Sequence, residues 1–221
     1  MLALLHTSPV HVPVFDTLRD AEAPGLAMHH LVRPELLDRA RAQGPDAVSA
    51  DLSAVLAEAA GHGARAVLCT CSTIGSVAET VGATLGLVVL RVDRPMAAAA
   101  VAAGPRIAVL AALESTLAPT EDLIAQEAQR AGREVRVRTA LVADAWERFE
   151  SGDTEGYLSA IAAAAREIRD ADAIVLAQAS MAPAAEGLDG GVPVLSSPRL
   201  GLRAAAQPAA SDSSFSGLRT I

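Results

Sequence analysis

Both cysteines of the chain, Cys69 and Cys71, fall in one short stretch, Arg65-Ala-Val-Leu-Cys-Thr-Cys-Ser-Thr-Ile-Gly75. A thiolate can serve as nucleophile, base or metal ligand. The apolar run Ala66-Val67-Leu68 predicts a buried strand. Ser72, Thr73 and the following Ser76–Val81 predict a helix start, with hydroxyls free to cap the first N–H groups. A thiol between a parallel strand and a helix N-terminus sits where an open α/β sheet places its ligand. That position also favours thiolate over thiol. The alternative is that both cysteines are small buried hydrophobes, the common fate of a free cysteine. Cys69 is expected to point away from Cys71, into the core.

Metal chemistry is not indicated. Two thiols are too few ligands, and His6, His11, His29, His30 and His62 do not supply zinc spacing around them. No metal and no cofactor are expected. Two cysteines one residue apart do not readily pair with each other, which points to a reducing compartment, the cytoplasm. The net charge of −8 offers no basic stripe for phosphates, so nucleic acid is not an expected partner. No segment reads as membrane-spanning: Met96–Ala103 is stopped by Gly104-Pro105, and Met1–Leu5 reads as a first strand. Apolar residues make up 51% of the chain and aromatic ones only 2%, which suits alanine-rich helices packed closely on a sheet.

The elements that must position the thiol come in alternation. Leu2–Leu5 predicts a strand, followed by the loop His6-Thr7-Ser8-Pro9. Asp16 is expected as a helix-start cap, or else as a substrate contact. Met28–Val32 is a second strand leading to a helix that begins at Pro34. Asp51–Ala60 is a helix with Leu52, Val55, Leu56 and Ala59 on one face. After the cysteine strand and its helix come strand Leu87–Val92 and an alanine-rich helix ending at Gly104. The pattern then restarts. Ile107-Ala-Val-Leu-Ala-Ala falls 105 residues after Leu2-Ala-Leu-Leu-His-Thr, and Leu158-Ser-Ala-Ile falls 106 after Leu52-Ser-Ala-Val. Ala173–Leu176 repeats the cysteine strand, and Val194–Pro198 repeats Leu90–Pro95. A repeat this long, alternating strand and helix, implies two similar α/β halves with parallel sheets whose ligand edges face one another across a cleft. The division expected is 1–95 with about 199–221 for the first half and 96–198 for the second. The tail from Gln207 reads as disordered.

Duplicated halves, the turn Cys69-Thr70-Cys71-Ser72-Thr73 and its counterpart Ile174-Val-Leu-Ala-Gln-Ala-Ser-Met resemble the aspartate/glutamate/hydantoin racemase superfamily. Asp93-Arg94-Pro95-Met96 and Arg106–Thr116 carry the likeness further, and it extends to about Leu202. The resemblance implies two flavodoxin-like halves with four-stranded parallel sheets, related by a pseudo-twofold, with the active site between them. It maps a catalytic thiol onto Cys71 and substrate-binding groups onto Thr7, Ser8, Ser72, Thr73, Ser115 and Thr116. Racemases of that family carry a second cysteine in the mirrored turn. Here that position is Gln178 or Ala179, beside Ser180; Gln178 and Ser180 are taken as substrate contacts. Neither glutamine nor alanine exchanges protons at neutral pH. The implied function is a cofactor-independent, racemase-like isomerase acting on a small carboxylate through one cysteine. The alternatives are a single-thiol decarboxylase of a malonate-type acid and a small-molecule-binding relative without turnover. A homodimer or higher homo-oligomer is expected, with Met96–Ala103 able to pack between subunits. Arg94 is able to meet a substrate carboxylate or to form an interface ion pair. His29-His30, Glu114 and Ser196-Ser197 are further candidates for the cleft.

Overall fold

Strands buried on both faces read as unbroken apolar runs, and the chain has four of them at the centres of its sheets. They are β1 (Leu2–His6), β3 (Ala66–Cys69), β5 (Arg106–Ala111) and β7 (Ala173–Leu176). The computed structural model describes residues 1–188 and 191–210. In it, β2 (Met28–Val32), β1, β3 and β4 (Val88–Arg91) form one parallel sheet in that order. The second sheet repeats the order with β6 (Arg136–Leu141), β5, β7 and β8 (Val194–Ser196). This is the doubly wound arrangement whose ligand edge lies at the carboxyl ends of the two central strands.

Alternation along each central strand feeds two cores per half. In the first half, Ala3, Leu5 and Val67 pack under α2 (Pro34–Gln43), α3 (Ser49–Gly61) and α4 (Ser72–Leu85), which contribute Leu36, Leu52, Leu56 and Ile74. Leu2, Leu4 and Leu68 face the other way, onto Phe15 of α1 (His11–Glu22) and onto Leu202 and Ala205 of the C-terminal helix. In the second half, Ile107, Val109 and Val175 meet α5 (Arg94–Ala103) and α6 (Leu117–Ala131). Leu110, Ile174 and Leu176 meet Ala145 of α7 (Ala145–Ser151) and Tyr157 and Ile161 of α8 (Thr154–Glu167). The C-terminal helix is α9 (Ser197–Ala210).

Several sequence expectations change. Asp16 lies inside α1 rather than at its start, because the helix begins at His11. Gln207–Ala210 are the last turn of α9, held to the first sheet through Ala205 and Ala209, rather than part of a tail; the rest of the expected tail, 211–221, lies outside the described residues. The buried side of Met96–Ala103 (Met96, Ala97, Ala100 and Val101) covers its own sheet. Arg94 forms an ion pair with Glu79 and another with Glu127 of α6 at 2.6 Å, so it ties the halves together.

A second tie is fully buried. Arg91 grips Asp93 with two parallel bonds of 2.9 and 2.8 Å and donates a third, of 3.2 Å, to the Pro119 carbonyl in α6. The guanidinium stem runs so close to α4 that a Cβ at Gly75 would stand 2.9 Å from Arg91 Cγ. Breaking a buried pair by removing one partner strands the other charge. Asp93→Ala is therefore expected to lower the free energy of urea unfolding by about 3–5 kcal/mol, and Arg91→Met with Asp93→Leu together by less than that. A loss under about 1 kcal/mol for Asp93→Ala would mean that the pair behaves as an exposed one.

Candidate active site

Identical registers bring the two halves' turns to equivalent places. Leu5 pairs with Cys69 in one sheet and Leu110 with Leu176 in the other. Counting two residues past each strand end reaches Cys71 and Gln178, so Gln178, and not Ala179, is the counterpart of the thiol. Both line one cavity of about 50 Å³ between the halves. Thr7, Ser8, Ser72 and Thr73 share its wall from the first half, as do Thr116, Ala179 and Ser180 from the second. Ser115 does not belong to that wall.

The hydroxyls are occupied differently from expectation. Cys71 is the N-cap residue of α4, and no side chain caps the helix. Ser72 Oγ instead donates to the Ala177 carbonyl at 2.9 Å, reaching across to the second half. Thr73 Oγ1 donates to the Ser115 carbonyl at 3.4 Å and lies at the same distance from the Ser115 hydroxyl. Thr116 Oγ1 donates to the Leu113 carbonyl at 2.6 Å. These side chains hold the loops together and line the cavity while doing so. Ser180 Oγ lies 2.8 Å from the Tyr157 hydroxyl, whose pKa burial pushes up to about 12, so Tyr157 keeps its proton at neutral pH.

Cys69 is buried in the first half's core, as expected, and burial raises its pKa. It joins the same apolar cluster as Cys71, however, and its Sγ lies 3.6 Å from the Cys71 carbonyl. Residues two apart on a strand share a face. What separates the two thiols is the end of β3 at Cys69, which leaves Cys71 in the turn.

Two buried donors on this wall have no partner among the described residues. Gln178 is 8% exposed; its Oε1 accepts from the Ala112 N–H at 2.7 Å, while Nε2 is unmatched. Trp146 Nε1 is unmatched too. Unsatisfied buried donors are costly and call for an acceptor. Trp146 stacks on Phe149 with ring centres 5.1 Å apart, and the Arg41 guanidinium of α2 lies 5.9 Å above the indole. Leu37 and Leu113 complete an apolar side. Among the described residues, no Asp, Glu, Lys or Arg lines the cavity. Glu114 is exposed and off the wall, His29 packs against His62, and Ser196 and Ser197 do not line the cavity. No group of His, Cys, Asp or Glu among the described residues is arranged to hold a metal ion.

Thr70, His11, Trp146 and Phe149 line the cavity without having been singled out from the sequence. A signal for two of them was present. The chain holds only five Phe, Trp and Tyr residues, and Trp146, Phe149 and Tyr157 gather three of them here.

Residues 12–205 match the Asp/Glu/Hydantoin racemase family. The chain belongs to this family. No curated protein sequence matches it. Among solved structures it is similar to glutamate racemase from Thermus thermophilus, at 19% identity and TM-score 0.62, covering 93% of this chain and 78% of that one. It is also similar to aspartate racemase from Picrophilus torridus, at 14% identity and TM-score 0.63, covering 90% and 88%. A glycine-to-cysteine mutant of arylmalonate decarboxylase in its sulfate-associated form matches at 17% identity and TM-score 0.61, covering 96% and 94%. At these identities the likeness establishes the fold. In this member of the Asp/Glu/Hydantoin racemase family an amide, Gln178, stands at the position equivalent to Cys71 and lines the same cavity. No helix among the described residues is long and apolar enough to cross a membrane.

Two histidines at the site are held neutral. Burial, then the charges of His11 and His30, push the His6 pKa down to about 3, and burial pushes that of His11 down to about 4. The unfolded chain binds these protons near pH 6.5, so between there and the folded values it holds more protons than the native state. Their contribution to stability is therefore complete above pH 6.5 and is lost as pH falls toward 4 and 3. Stability should fall on the order of 1.4 kcal/mol per pH unit for each histidine across that window. Urea titrations from pH 7 to 4 check this, with His6→Asn/His11→Gln giving a flatter acid limb than the parent chain.

Proposed function

We propose that this protein is a cofactor-independent enzyme that moves a proton at the carbon next to a carboxylate, on one face only, through Cys71. The observation that carries this reading is the pairing of Cys71 with Gln178 at equivalent positions of one cavity. A primary amide donates hydrogen bonds but exchanges no proton at neutral pH. In this reading Gln178 Nε2 and Trp146 Nε1 bind the oxygens of the carboxylate, and of the enediolate that forms as charge moves onto them. The first turn of α4, which has no side-chain cap, adds N–H groups on the Cys71 side. Cys71 then takes the Cα proton as thiolate or delivers one as thiol. Exchange at Cα on one face returns the same configuration, so this reading shows itself as wash-in with retention rather than as racemisation.

The wall also supports a second reading. Among the described residues the cavity has no lining carboxylate to pair with an α-ammonium group, and no lining Arg or Lys to pair with a second carboxylate that persists. A malonate-type acid avoids both demands. Its C–C bond breaks, the electron pair passes into the enediolate, CO₂ leaves, and the Cys71 thiol proton goes to carbon. The apolar side formed by Leu37, Leu113, Trp146 and Phe149 suits an uncharged substituent on that acid.

A scan in deuterium oxide across amino acids, 2-substituted acids and substituted malonates separates these outcomes by Cα wash-in and CO₂ release. Cys71→Ala is expected to lose at least about 100-fold, the weight of a positioned acid–base group. Product should form with one hand only, and Gln178→Cys should add racemisation. Turnover that survives in Cys71→Ala removes the thiol from the reaction, and a chain that binds these acids without wash-in or CO₂ release is a binding protein.

A further inference from the structure

Behind the Cys71 turn, three hydrogen-bonded links run in series from the cavity to solvent. His6 Nδ1 lies 2.8 Å from Oγ1 of the cavity-lining Thr70, His6 Nε2 lies 2.8 Å from His30 Nδ1, and His30 Nε2 lies 3.4 Å from Asp16 Oδ1. His6 is fully buried, while side-chain exposure rises to 17% at His30 and 41% at Asp16. The remaining polar groups that face the chain are Arg19, 3.1 Å from the same Asp16 oxygen, and His11, whose ring centre is 6.0 Å from that of His6. Phe15 closes the apolar side, 5.6 Å from His6.

With His6 kept neutral by its burial and Asp16 acting as acceptor, counting protons gives two arrangements in which every link is made. In the first, Thr70 donates to the Leu5 carbonyl at 3.1 Å, His6 donates from Nδ1 to Thr70, and His30 carries both ring protons, donating to His6 and to Asp16. In the second, with one proton fewer, the Thr70–His6 and His6–His30 links are reversed and the His30–Asp16 link is kept. Thr70 donates to His6 Nδ1, His6 donates from Nε2 to His30, and His30 donates from Nε2 to Asp16. The Leu5 carbonyl loses nothing essential, since it also accepts the Thr70 N–H at 3.0 Å. A neutral His30 that kept the first polarity would turn a bare nitrogen toward the Asp16 carboxylate.

We propose that Thr70 is the second proton-exchanging group of this site, with His6, His30 and Asp16 as the positioning residues that let its hydroxyl give up and regain a proton. The proposal rests on the single-thiol reading above and supplies the partner that Gln178 cannot be. When Thr70 acts as acid, its hydroxyl proton leaves its bond to the Leu5 carbonyl and passes to the substrate, the His6 Nδ1 proton moves to Thr70 Oγ1, and a His30 proton moves from Nδ1 to His6 Nε2. The first arrangement has then become the second, and the positive charge has left His30. Action as a base runs the same steps backward. Thr70 and Cys71 both belong to the first half's wall of the cavity, and the proposal places both transfers on that half's side of the substrate. This agrees with a one-faced reaction. A lone threonine hydroxyl is a poor acid or base; one backed by an imidazole, itself oriented by further groups, is not.

The chain can be read without any substrate. In two-bond proton–nitrogen spectra of the ¹⁵N-histidine-labelled protein, His6 should change from the Nδ1–H to the Nε2–H tautomer as pH rises and one proton leaves the chain. Asp16→Leu, at a half-exposed position, should weaken the change, because no acceptor then fixes the proton of a neutral His30 on Nε2. A His6 that holds one tautomer throughout in the parent protein overturns the proposal. On whichever substrate shows wash-in or CO₂ release, Thr70→Val should lose on the order of 100-fold in kcat and Thr70→Ser should regain most of it. The rate of Cys71 alkylation should stay at the parent level in both, which reports an intact cavity. Full turnover in Thr70→Val beside a dead Cys71→Ala removes Thr70 and leaves the single-thiol reading standing. Full turnover in Cys71→Ala removes that reading, and the tautomer change still decides whether the chain of links exchanges its proton.

Discussion

The site depends on one constraint, the parallel pairing of β3 on β1 and of β7 on β5 in the same register. A shift of one residue in either sheet would exchange the faces of a central strand and send each side chain into the core on the other side, where its neighbours do not fit it. Because both faces of these strands are buried under helices, neither sheet has freedom to slip. The turns that follow are carried rigidly to the sheet edge, and Cys71 and Gln178 meet in one cavity as a result. The bond from the buried, Asp93-paired Arg91 to the Pro119 carbonyl and the Arg94–Glu127 pair then hold the halves against each other. Position at the site is thus set by cores on either side of it, and the loops have little left to specify.

The cross-cleft hydroxyl bonds carry a cost for function. Ser72 and Thr73 are spent on Ala177 and Ser115, so they offer a ligand lone pairs more readily than protons. The donors left over are amide and indole N–H groups, on Gln178 and Trp146. A site furnished this way favours an anion that is already formed, or one that forms during reaction, over a neutral ligand rich in its own donors.

Much of this was legible in the residues. The repeat at about 105 positions, the apolar runs of the central strands and the thiol in its turn follow from periodicity and spacing. The same repeat narrows the counterpart of Cys71 to Gln178 or Ala179, and the strand pairing chooses Gln178. Three things were not legible, each because it depends on partners distant in the chain. Ser72 and Thr73 have the types and places of helix caps, and only the approach of the second half redirects them. Asp16 has the type of a cap, yet α1 begins five residues earlier. His6, His30 and Thr70 lie in separate segments, joined by strand pairing that sets β2 and β3 on either side of β1. The sequence also names two thiols without saying that the strand ends between them.

The chain contains a single tryptophan, and that residue stands on the cavity wall. Its indole belongs to α7 of the second half, while the guanidinium that covers it, Arg41, belongs to α2 of the first. Indole emission responds to the polarity around the ring and to charge near its face. The protein therefore carries its own optical gauge of the cleft, free of background from any other tryptophan, and sensitive both to what enters the cavity and to how closely the two halves stand.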